Sequence, residues 1–339
     1  MNTVILKCKS GTLFRLGEGS LTEVSHLIHS DTLFSAITNI YEMVYENGGE
    51  FVKLVEDKKI AFSSAFPALE KVGSDEIIYF VPKPNITFQQ TEALGKKEKK
   101  IKFISWDAYL KIFEKFIFES LSSNIDINDF QIIDNRYLLL RNELQVSKDV
   151  RFINEQIFPK NTVHKENRED AFYFQTDVQL VSFKDNQKNL FKPHFYFFLK
   201  HSLNEIEKKN FFTCLRILAD EGIGGDRGSG KGYFESVIIK DAPGILKQAT
   251  NYYMTLSLLN PETQSEFNHC VKYDLIKRGG GSIGLEGKPE YHRKQVRMIT
   301  EGSILNSLVN GRIVDVSPFQ NLYKHKIYRN GKAFLIPLG

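Results

Sequence analysis

Apolar and polar positions change their period along this chain, and each change marks an element. Residues 3–9 are short, apolar-rich and alternating, which predicts an opening strand. Past the glycine-containing stretch 11–20 comes His26-Leu27-Ile28-His29-Ser30-Asp31-Thr32-Leu33-Phe34, where the period turns helical. Leu33, Ile37, Ile40 or Tyr41, and Val44 fall on one face; Ser30 is placed to cap the helix, and Asp31 in its first turn suits the positive end. Asn47-Gly48-Gly49 should stop it. Residues 61–66 and 77–81 are strand-like, the second closed by Pro82 and Pro84. Ser105 caps a second helix, with Trp106, Tyr109 or Leu110, Phe113, and Phe116 or Ile117 on one face.

The stretch 136–183 is polar and irregular until Phe172, Phe174, Thr176, Val178 and Leu180 alternate with Tyr173, Gln175, Asp177, Gln179 and Val181 as a long amphipathic strand. A strand over 194–199, a helix over 208–219 and a strand over 233–239 follow. Further strands are expected at 252–259, 295–299, 312–316 and 333–337. Without the insertion, the first part follows the split βαβ, or ferredoxin-like, order shared by RRM-type RNA binders.

Length adds a boundary. The 339 residues suggest two domains, and Asp241-Ala242-Pro243-Gly244 is the best linker, giving 1–240 and 241–339. The 27 phenylalanines and 14 tyrosines supply apolar area for two cores. A net charge of +4 permits a nucleic-acid partner without requiring one. Cys8, Cys214 and Cys270 are odd in number and form no C-x-x-C pair, which argues against a disulfide framework or zinc knuckle and for a reducing compartment. With no signal-peptide core and no long apolar run, the expectation is a cytoplasmic protein.

The chemistry concentrates in Gly222-Ile223-Gly224-Gly225-Asp226-Arg227-Gly228-Ser229-Gly230-Lys231-Gly232. A loop so rich in glycine exposes backbone N–H groups, and Arg227 and Lys231 add cations suited to phosphate oxygens. Residues 225–231 spell G-x-x-x-x-G-K, yet Gly232 stands where a nucleotide-binding P-loop needs Ser or Thr for Mg²⁺. The context is also inverted, because this loop leaves a helix and enters a strand. A plain turn is the bland alternative; a nucleic-acid backbone is the better fit. The charge run Gly95-Lys96-Lys97-Glu98-Lys99-Lys100 is expected to be a solvated loop.

Three stretches together resemble one family: His29-Ser30-Asp31-Thr32-Leu33-Phe34, the run Gly-Asp-Arg-Gly-Ser-Gly-Lys-Gly at 225–232, and Lys277-Arg278-Gly279-Gly280 followed by Glu301-Gly302-Ser303. They resemble the RAMP superfamily of CRISPR proteins and, more narrowly, the Csm4-type subunit of type III-A effector complexes. Lys160-Asn161-Thr162-Val163-His164 stands where that family carries a β-hairpin thumb. The resemblance implies an α+β fold of two ferredoxin-like, RRM-like domains, with the thumb inserted at about 136–182. It also implies no cofactor, and a complex with crRNA, a large polymerase-like subunit and backbone RAMP subunits. In that reading the chain is no enzyme and holds the 5′ handle of the crRNA.

The expected RNA contacts are His29, Ser30, Asp31 and Thr32 at the helix start; Gly224, Gly225, Arg227, Gly228, Ser229, Gly230 and Lys231 in the loop; Gly279 and Gly280 in the second loop; and Asn161, Thr162, Val163, His164 and Arg168 in the thumb. Asp226 is expected to staple the loop rather than bind metal. His26 and His29 leave one enzymatic alternative, a metal-independent, repeat-processing endoribonuclease of the same superfamily. A pure scaffold without RNA contact is the third possibility.

Overall fold

Val4, Ile5 and Leu6 are all fully buried, and because successive side chains point to opposite faces, both faces of their strand are covered. A computed structural model describes residues 1–17, 20–89, 95–114, 116–117, 120–147, 150–162, 171–244, 251–282, 291–318 and 325–338. The opening strand β1 (Asn2–Lys7) is followed by α1 (Ser30–Tyr45), β2 (Phe66–Lys71), β3 (Ile153–Thr162), β4 (Ala171–Leu180), β5 (Leu190–His201), α2 (Glu205–Glu221) and β6 (Ser236–Asp241). In the central sheet β1 lies between β5 and β6, and β2 flanks β5, every neighbour antiparallel. With α1 and α2 packed together, this is the expected ferredoxin-like βαββαβ arrangement.

The sheet is larger than the ferredoxin-like core. Ile77–Pro82, Phe103–Ser105, Tyr137–Leu140 and Phe130–Ile133 extend the same sheet beyond β2. Tyr137, Leu138 and Leu139 are fully buried, so the first part of the expected thumb is core. The hairpin is formed instead by β3 and β4, in unbroken antiparallel register from Ile153↔Leu180 to Thr162↔Ala171. Its base is anchored by Ile153, Val178 and Leu180, while Ile157, Phe172 and Phe174 are exposed farther out. The period-2 pattern marks β4, but β3 (INEQIFPKNT) alternates weakly and carries Pro159, which hides it.

Two helix boundaries shift. Asn47-Gly48-Gly49 ends α1 but also starts another helix, Gly48–Glu56, whose Glu50 N–H is capped by Asn47. The N-cap of α1 is His29, with Ser30 the first helical residue. Ser105 does cap Trp106–Phe113, accepting a hydrogen bond from the Ala108 N–H at 3.2 Å.

The C-terminal part is built of short strands, with one short helix, Gln264–Asn268, among the described residues. Its strands Cys270–Lys272, Ile304–Leu305, Tyr253–Thr255 and Leu335–Pro337 make a four-stranded sheet. The apolar area is divided unequally. Met254, Leu256, Ile304, Phe334, Ile336 and Leu338 join the main apolar cluster, leaving a small second one around Leu259, Ile299 and Leu305. Among the described residues no helix is long and apolar enough to cross a membrane.

Candidate nucleic-acid interface

The glycine loop grows out of α2, whose start is fixed by a capping box between Asn204 and Glu207. Its ends are pinned by backbone contacts. The Ile223 N–H donates to the Gly232 carbonyl at 2.9 Å, the Gly232 N–H to Leu13 at 2.8 Å, and the Gly225 N–H to Arg15 at 3.0 Å. Such close approach excludes side chains. At Gly232 (φ 83°) a Cβ would lie 2.2 Å from the Ile223 oxygen, and at Gly224 (φ 98°) 2.6 Å from the Arg15 oxygen. The middle is different: a Cβ on Gly228 or Gly230 would meet nothing within 4 Å, and residues 225–230 are exposed.

The two loop cations separate. Arg227 is exposed, its Nη1 donating to the Glu221 carbonyl at 3.1 Å and lying 3.7 Å from the Glu221 carboxylate. Lys231 is buried, its Nζ 2.6 Å from Asp177 Oδ2 and 3.0 Å from Asp226 Oδ2. Burial alone would lower its pKa, but the two carboxylates outweigh that and raise it. The expected phosphate contact of Lys231 therefore gives way to an internal one: it ties the loop to β4. Asp226 is the expected staple, its carboxylate also accepting from Gln175 Nε2 at 2.7 Å; that bond, with Lys231 and Lys160, holds its pKa below the usual range.

The start of α1 also turns inward. Ser30 and Asp31 are fully buried and face protein. The Ser30 N–H donates to Ser64 Oγ at 2.8 Å, and Ser30 Oγ accepts from the Leu258 N–H at 3.0 Å. Thr32 and Leu33 N–H groups return to the His29 carbonyl, a turn that occupies donors expected to meet phosphate. Asp31 receives Arg278 in a two-point contact, Nε to Oδ2 and Nη2 to Oδ1, both at 3.0 Å, and Arg329 Nη1 binds Oδ2 as well. Burial opposes the Asp31 charge, yet the two guanidiniums dominate and hold its pKa far below the usual carboxylate range. Arg329 Nη2 also donates to the Gly279 carbonyl at 2.6 Å, so Asp31 fixes the second glycine loop through two arginines.

The histidines are likewise engaged. His29 Nδ1 lies 2.9 Å from Glu301 Oε1, which also accepts from Ser64 Oγ. His26 Nδ1 is 3.1 Å from the Tyr137 hydroxyl and its Nε2 3.1 Å from Glu155 Oε1. Both rings are nearly buried.

One groove of about 1310 Å³ gathers the exposed parts. It takes in His29 and Thr32, Gly224, Gly225 and Arg227 from the first loop, and Gly279 and Gly280 from the second. Arg15, Arg227, Lys277, Arg278, Arg293 and Arg329 line it against Glu23, Glu221 and Asp226, six cations to three acids. Gly228, Ser229 and Gly230 stand on the loop beside it. Asn161 is exposed and Thr162 closes the described hairpin; Val163, His164 and Arg168 lie outside the described residues.

Sequence reasoning misses Arg15 and Asp177 as site residues. Arg15 sits in a short polar stretch without periodicity, and its role emerges only when its guanidinium donates to the Thr176 and Ser20 carbonyls at 2.7 and 2.9 Å. Asp177 has the pattern of one more polar member of an alternating strand.

Known proteins resemble the chain along its whole length. Residues 248–338 match the family model of the CRISPR Csm4 C-terminal domain. The CRISPR system Cms protein Csm4 of Methanocaldococcus jannaschii is 28% identical over 376 aligned positions, covering 99% of this chain and 97% of that protein. In a crystal structure of the Csm3–Csm4 subcomplex of a type III-A CRISPR–Cas interference complex, a chain is 24% identical with a TM-score of 0.69, and all of both chains is covered. In a Csm1–Csm4 cassette with cA4, a chain is 18% identical with a TM-score of 0.53, covering 100% of this chain and 98% of that one.

Proposed function

We propose that this chain, which carries a Csm4 C-terminal domain and resembles Csm4 throughout, is the crRNA-binding subunit of a type III-A effector complex, joining the large polymerase-like subunit to the RAMP backbone. One relative of this fold is paired with Csm3 and another with Csm1, which are the two kinds of neighbour such a joint requires. The subunit holds the 5′ handle and carries out no chemistry of its own.

The observation that carries this reading is the groove in which both glycine loops converge under an excess of cations. Exposed backbone at 225–230 and at Gly280 approaches the sugar–phosphate chain, while Arg227 and Lys277 supply charge. Single-stranded handle bases are read on their faces and edges. Ser30, Asp31 and Lys231 serve the site indirectly, by holding its walls. The hairpin, tied to the first loop by Lys160, Gln175 and Asp177, sets where the guide leaves.

The test is binding of crRNA with its native or a scrambled handle across a salt series. Arg227→Ala with Lys277→Ala weakens both RNAs and flattens the salt dependence by roughly 0.7 for each phosphate no longer neutralised. Unchanged affinity and slope would remove the groove from RNA binding. RNA turnover that vanishes in His29→Ala would replace the reading with the endoribonuclease one.

A further inference from the structure

A second, larger groove of about 1610 Å³ adjoins the segment 24–29. The two grooves share Ser25, Leu27 and His29 as wall residues, so they meet at that segment. The new groove is bounded by the turn after Ile77–Pro82, residues Glu98–Lys102, the base of β3 and the end of the strand Cys270–Lys272.

Its charge is lopsided once internal pairs are removed. Lys83 pairs with Glu98 at 3.2 Å, Arg136 with Glu155 at 2.8 Å, and Arg151 with Asp134 at 3.2 Å. Glu301 is turned inward onto His29 and Ser64. Lys99, Lys100, Lys102 and Lys272 remain, all exposed and none in an ion pair with a described residue. Among the described lining residues the remaining acid is Asp274, which accepts from Asn85 Nδ2 at 3.2 Å. Four ammonium groups without an ion pair, lining a groove that meets one already lined by arginine, match a flexible polyanion. The cleft stands open to solvent, which suits a strand that passes through rather than a small molecule that is enclosed.

We infer that this second groove is a further binding track for single-stranded RNA, in which the strand held at the glycine loops crosses Ser25–His29 and continues past Lys99, Lys100, Lys102 and Lys272. Lys99 and Lys100, at the end of the charge run, are then a phosphate-contacting edge rather than idle solvated side chains. Contact is to the backbone, through lysine, so the track is indifferent to sequence. The inference rests on the proposed function, because it extends the same strand.

The experiment titrates the full-length chain with labelled oligouridylates of increasing length. Wild-type affinity rises past the length that fills the first groove. Lys99→Ala with Lys100→Ala keeps wild-type affinity for short RNAs and removes the increment for long ones. For the long RNAs its salt slope is lower by roughly 1.4, two phosphates at about 0.7 each. An unchanged increment and slope, or an equal loss at every length, overturns the track. Weaker docking of the large polymerase-like subunit with RNA binding intact assigns the groove to protein and also overturns it. Arg227→Ala with Lys277→Ala separates the premises: if that variant binds short RNA like wild type, it is the proposed function that fails.

Discussion

Replacing Asp31 by Asn tests whether one buried carboxylate holds the second glycine loop. Asp31 is fully buried between Arg278 and Arg329, whose side chains are 10% and 8% exposed. Asn keeps the shape but loses the charge, leaving two shielded guanidiniums without an anion. Removing one partner of a buried ion pair costs about 3–5 kcal/mol. At ~2.1 cal/mol/K per residue, 339 residues give an unfolding entropy of about 0.7 kcal/mol/K, so the melting temperature should fall by about 4–7 °C.

The pH dependence identifies the cause. The folded-state pKa of Asp31 lies below its unfolded value, near 3.9. Its contribution is therefore fully present above that value and lost as pH falls toward the folded pKa. The gap between wild type and Asp31→Asn should be constant from pH 6 to 8 and shrink below about pH 4. Scanning calorimetry at pH 7 and pH 3 measures it. A loss of less than a degree at pH 7, or a gap that is the same at both, would refute the argument that charge makes this contact.

Two further outcomes follow from buried ionisable groups. Lys231→Ala should destabilise the fold by about 3–5 kcal/mol, because buried Asp177 loses its counter-charge, while the RNA salt slope stays at the wild-type value; a flattened slope in the folded variant would show that Lys231 reaches phosphate after all. Burial pushes the Glu143 carboxyl up to about 7, although the Ser105 hydroxyl and Leu140 N–H both donate to it. A raised acid pKa means a penalty absent below the unfolded value and complete above about pH 7, so Glu143→Gln should melt above wild type at pH 8 and level with it near pH 4.5. Equal melting at pH 8 would sink that claim.

Local chemistry made much of this protein legible without coordinates. The run of apolar residues in β1, the helical period of α1 and α2, and the alternation in β4 depend only on which side of an element faces water, so they mark the ferredoxin-like order directly. The glycines at 224 and 232 likewise announce backbone contacts that no side chain permits. What sequence cannot express is which of several similar groups find each other across the chain. Arg227 and Lys231 look equivalent four residues apart, yet one faces solvent and the other is buried, because Leu13–Phe14 pairs with β4 and also accepts the Gly232 N–H, which brings Asp177 beside Lys231. Asp31 has the position of an ordinary first-turn acid, and only the packing of the C-terminal strands against α1, 247 and 298 residues away in sequence, makes it an ion-pair hub. Nor could the charge run at 95–100 be told from any solvated lysine-rich loop until folding set it against a groove. Burial and partner choice are long-range properties, and they decided which charges hold this protein together and which are left facing solvent.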